Sequence, residues 1–125
     1  MISLLLDAAD IDFDAVGKAV AACDRNVISK TVTDDVTRHG AFLVQAFKDQ
    51  RAIAADRAAL AERRRHLRGG EPTTDTEQGI ALEGQAIDDR QRALDDQRQL
   101  DRQQQEVMAN FRQVYLTRCS GRGAS

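Results

Sequence analysis

Two apolar stripes of seven-residue period stand on either side of a short segment that cannot be helical. This arrangement constrains the fold more than any other feature of the chain. On the first side Ala46, Ile53, Leu60 and Leu67 recur every seven residues beside Phe47, Ala54 and Ala61. On the second, Ile80, Ile87, Leu94, Asp101, Met108 and Tyr115 keep the same period beside Ala86, Ala93, Leu100, Val107 and Val114. Between the stripes lie Gly69, Gly70 and Pro72, followed by Thr74 and Glu77 at capping-box spacing. Glycine supplies the left-handed stop of a helix, and proline breaks one, so a single continuous rod, like two helices of separate bundles, is the disfavoured alternative.

Folding the chain back over residues 69–76 sets the stripes face to face. Leu67 then meets Ile80, Leu60 meets Ile87, Ile53 meets Leu94 and Ala46 meets Asp101, with Ala61 on Ala86, Ala54 on Ala93 and Phe47 on Leu100 as a second row. This register has its centre between Thr73 and Thr74, the place that turn chemistry marks independently. The expectation is an all-α fold: a long antiparallel coiled-coil hairpin over residues 34–119. Charge agrees, since residues 41–70 carry seven basic side chains against three acidic ones, and residues 71–106 carry four against ten. Adjacent segments of opposite sign suit two helices laid side by side.

Upstream, Asp10 or Asp12 can cap a first helix with a stripe at Phe13, Val16, Val20, Cys23 and Val27. The pattern loosens over Ser29–Asp35, where Thr33 with Asp34 and Asp35 reads as a new cap, so a break is expected there and the hairpin's first helix is expected from Asp34 to Arg68. Its second helix is expected from near Asp75 to Arg118. Residues 1–33 form the N-terminal segment, whose helix is expected to dock at the open end of the hairpin. In the same register Phe111 faces Val36, Val114 faces Thr33 and Tyr115 faces Val32. Residues 120–125 are expected to fray as a flexible tail.

Four Phe, one Tyr and no Trp leave little material for a thick core, which fits helices packed side by side. No run approaches the roughly 20 apolar residues that span a bilayer, and Met1–Leu6 meets acidic residues without a cationic leader. These features suggest a soluble, unexported protein, cytoplasmic or held within a macromolecular assembly, without membrane insertion. Cys23 and Cys119 have no CxxC spacing and no neighbouring His, and read as small apolar residues in a reducing compartment.

No catalytic constellation, cofactor fingerprint or metal-ligand spacing is visible, and His39 and His66 stand alone. The expectation is a non-enzymatic protein–protein interaction or assembly component: an adaptor, chaperone or spacer, of the kind found in secretion machines and phage particles. Its partner is a protein or a second copy. Val107, Met108, Phe111, Val114 and Tyr115 form the densest apolar patch, which serves either as core or as the partner-binding surface. Arg63, Arg64, Arg65 and Arg68 form a basic cluster at the hairpin tip. Nucleic acid is a disfavoured partner, because no aromatic residue interleaves these arginines and basic residues in a last helical turn suit the helix dipole. A small regulatory protein touching nucleic acid through that tip is the alternative.

Overall fold

Asp12 opens the first helix, its carboxylate accepting from the Ala15 amide at 3.1 Å. The structure, a computed structural model, describes residues 11–120, and places three helices in them with no strand: α1 (Phe13–Ala21), α2 (Arg25–Arg68) and α3 (Glu77–Cys119). The expected cap at Asp10 and the tail beyond Ser120 lie outside the described residues.

The break expected at Ser29–Asp35 does not occur; the chain bends earlier, at Ala22–Asp24. The Asp24 amide donates to Ala19 O and the Cys23 amide to Val20 O, at 2.9 and 3.1 Å. This is the Schellman closure of a helix, and its left-handed position, φ 53°, is filled by Cys23 where glycine is usual. The Asp24 carboxylate then caps α2 by accepting from the Val27 amide. Through the threonine-rich stretch α2 stays helical: Thr31 turns its hydroxyl back onto Val27 O within the helix, and Lys30 pairs with Asp34 one turn on, so Asp34 serves as an ordinary helical neighbour.

The loop over residues 69–76 falls where expected. Glu71 N donates to His66 O and Gly70 N to Leu67 O, with Gly70 at φ 73°, the same closure now made by glycine. Helix α3 starts two residues later than Thr74 implies: Thr76 is the cap, accepting from the Gly79 amide at 2.9 Å.

The chain divides into two compact units. In the unit Val44–Arg98, Ala46, Ile53, Leu60, Ile80, Ile87 and Leu94 are buried, so the principal seam residues are those the heptad selects. Arg57 pairs with Asp88 while Arg63 pairs with Glu83, and this reversal of order makes the two helical stretches antiparallel here. The second row differs from expectation. Ala54, Ala61, Ala86 and Ala93 are exposed, and Gly84, Gln91 and Arg98 take the half-buried positions. Leu60 lies over Gly84, 3.5 Å from where a Cβ would stand. The amides of Gln50 and Gln91 exchange two hydrogen bonds of 2.8 and 3.0 Å, and Arg98 also donates to Gln50, which lets a polar row sit beside an apolar one without unpaired amide groups.

The other unit comprises Met1–Leu43 with Gln99–Ser125. Val16, Ala19, Val20 and Ile28 form its core, with Ile11, Val32, Phe111 and Tyr115 packed against it. Here, as where Leu60 meets Gly84 in place of Ile87 in the other unit, the projected register does not hold. Asp101, expected at the level of Ala46, is bonded to Arg38 and His39, about two turns earlier on α2. Val36, expected against Phe111, is 64% exposed, and Phe111 instead meets α1, its ring lying 6.2 Å from that of Phe13.

The reading of the cysteines as unpaired is corrected: Cys23 and Cys119 form a disulfide with Cα atoms 5.7 Å apart. A sequence separation of 96 residues and the absence of a motif conceal the pairing until the fold brings the start of α2 and the end of α3 together. Among the described residues no helix is long and apolar enough to cross a membrane.

Candidate protein-interaction site

The apolar end of α3 is covered unevenly. Met108 is buried, and Val107, Phe111 and Tyr115 are half-buried, with Phe111 and Tyr115 packed on the α1 core. Gly17 of α1 presents its backbone to Phe111, whose Cε1 lies 3.7 Å from the position of an added Cβ. Val114 and its neighbour Leu116 point outward at 50% and 61% exposure. Of the five residues read as a partner surface, then, four are buried or half-buried within this unit and Val114 stands open. Val36 and Leu43 on α2 and Leu100 on α3 add further exposed apolar side chains to the same unit.

Beside them sits a polar cluster that the sequence marked only through Asp101. Arg38 donates to Asp35 at 2.9 Å and to Asp101 at 3.0 Å, and all three side chains are no more than 10% exposed. His39 Nδ1 donates to the second oxygen of Asp101 at 2.7 Å, and Gln105 donates to Asp35 at 3.1 Å. One guanidinium thus serves two buried carboxylates, and each carboxylate has a further donor. Every member is held by another, an arrangement that fixes the alignment of two helices. Asp35, Arg38 and His39 escaped sequence reading because nothing in their spacing shows that they share a layer with Asp101.

At the tip, in the unit Val44–Arg98, Arg63 is fixed by Asp75 at 2.6 Å and by Glu83. These partners raise the Arg63 pKa, and the Arg63 hydrogen bonds hold the Asp75 carboxyl below its ordinary value. Arg65 pairs with Glu62, and His66 lies between Glu62 and Glu71. Arg64 and Arg68 instead line a shallow cavity of about 270 Å³ with Leu67, Glu77 and Ile80. The basic run is therefore partly neutralised by the acidic residues across the turn.

Among the described residues no group of three His, Cys, Asp or Glu side chains could hold a metal ion. No protein-family model, curated protein or solved structure matches the chain.

Proposed function

We propose that the chain is a non-enzymatic protein–protein interaction component, an adaptor, chaperone or spacer within a larger assembly. In this reading the paired long helices form an antiparallel coiled-coil scaffold, the N-terminal helix closes its open end, and a protein partner engages the end of α3 around Val114. The observation that carries it is the outward apolar set Val36, Leu43, Leu100, Val114 and Leu116, at 44% to 64% exposure on helices whose buried faces are already occupied within the chain. Exposed apolar side chains gathered in one small unit favour association. The alternative, nucleic acid held by Arg63, Arg64, Arg65 and Arg68, has less support because Arg63 and Arg65 already have carboxylate partners.

The test is a Val114→Asp, Leu116→Asp variant expressed in the native host and followed by cross-linking and sedimentation of its complexes. The reading expects the assembly to be lost while circular dichroism and melting temperature stay as in the parent chain. An intact assembly would move the partner surface elsewhere, and unfolding would return these residues to the core.

A further inference from the structure

We infer that the groove holding α1 is a receptor for the α1 helix of a second copy of this chain, and that the Cys23–Cys119 disulfide is the latch that keeps it closed in cis. The inference stands on the unit that contains α1 and holds whichever partner the assembly supplies.

Two observations point to it. First, the groove already shows what it accepts: a short helix presenting Val16, Ala19 and Val20 toward Ile28, Val32, Phe111 and Tyr115. A second copy offers the identical helix, so exchanging one for the other preserves every contact and alters only the connection. Second, that connection is a hinge under tension. Cys23 occupies the left-handed position at φ 53°, which L side chains disfavour. Ala22, Cys23 and Asp24 include neither glycine nor proline, so α1, the hinge and α2 can join as one straight helix in which Cys23 returns to right-handed geometry. Against these stands the disulfide, which ties the hinge residue itself to the end of α3.

The latch opens by thiol–disulfide exchange with a dithiol. One dithiol thiolate attacks a cysteine sulfur to give a mixed disulfide, and its second thiol displaces the remaining cysteine. Two electrons and two protons pass to Cys23 and Cys119, and the dithiol leaves as a cyclic disulfide. The freed α1 swings out, and two opened chains exchange helices.

Dithiothreitol is the probe. Light scattering on the full chain should show a mass of 13.8 kDa under oxidising conditions, and twice that in concentrated reduced protein. Removing the reductant from the concentrated sample should trap a covalent dimer, because Cys23 then faces Cys119 of the other copy; the dilute sample should return to monomer. Without any reductant, Cys23→Ala with Cys119→Ser should be dimeric, whereas Cys23→Gly with Cys119→Ser, in which glycine relieves the hinge, should stay largely monomeric. Reduced protein that remains monomeric at every concentration with its circular dichroism unchanged would overturn the proposal. Reduced dimers that reoxidise only to covalent monomers would overturn the exchange of helices, and alanine and glycine variants of equal mass would overturn the hinge. Loss of helix on reduction would show the disulfide to be needed for folding and would overturn the latch.

Discussion

Asp101 and His39 are joined by a 2.7 Å hydrogen bond between Asp101 Oδ2 and His39 Nδ1, and the aspartate is only 6% exposed. Its other oxygen takes Arg38, which also holds Asp35. A charge in this position endures in the packed layer because each of its neighbours is a donor.

Removing Asp101 should therefore hurt far more than removing an exposed partner in an ion pair. Asp101→Ala leaves Arg38 and His39 without one acceptor in a buried layer and should lower unfolding free energy by about 3 kcal/mol. Asp88→Ala breaks a pair whose side chains are about half exposed, with Arg57, and should cost less than about 1 kcal/mol. Urea denaturation of the two variants decides it, and equal losses would mean that the buried network contributes no more than a surface contact.

Two glycines should respond in opposite directions to alanine. Gly40 lies inside α2 with no atom within 4 Å of an added Cβ, so Gly40→Ala should stabilise by about 0.5–1 kcal/mol through helix propensity alone. Gly70 has φ 73° in the helix closure, and Gly70→Ala should destabilise by about 1 kcal/mol. Thermal melts of the pair check both signs.

The seam should behave as one apolar row and one polar row. Ile53 is 2% exposed, and Ile53→Ala should cost about 3 kcal/mol, near the middle of the range for truncating a buried aliphatic side chain. Ala54 is exposed, so Ala54→Gln should change stability by less than about 0.5 kcal/mol. Comparable losses from the two would restore the alanine row to the interface.

What was legible in the sequence follows from which interactions are local. The loop at 69–76 could be read because Gly70 needs its left-handed angle and Pro72 forbids continued helix, both properties of single residues. The apolar row through Ile53 and Leu60 could be read because period seven survives any register. The bend at Ala22–Asp24 could not, since Cys23 takes a glycine's conformation while tied to Cys119, a residue far along the chain. The alanine row misled because small residues carry the right period at weak energetic weight, and the paired Gln50 and Gln91 satisfy each other across the helices instead. Of the candidate site, the apolar end of α3 was visible as a patch. That α1 would cover Phe111 and Tyr115 while leaving Val114 open depended on the bend.

The ion pair of Arg63 with Asp75 should appear in a carboxyl titration. Hydrogen bonding to Arg63 stabilises ionised Asp75, so its midpoint in the folded chain should lie below the ordinary aspartate value of about 3.9. A depressed folded pKa means that the pair's stabilisation is present above that ordinary value and is lost as pH falls through the folded midpoint. Carbon-detected NMR should show the Asp75 midpoint rising toward the ordinary value in Arg63→Gln. An unchanged midpoint in the variant would show that Arg63 does not hold Asp75 in solution.

The account turns on α1 being held against the ends of α2 and α3 within one chain, and the covalent link tests this most directly. Full chain purified without reductant, confirmed as monomer by light scattering and blocked at any free thiol before digestion, should yield by mass spectrometry a peptide pair joined through Cys23 and Cys119 and no blocked cysteine. Two blocked cysteines in the folded monomer, or a Cys23–Cys119 link found only between chains, would contradict it.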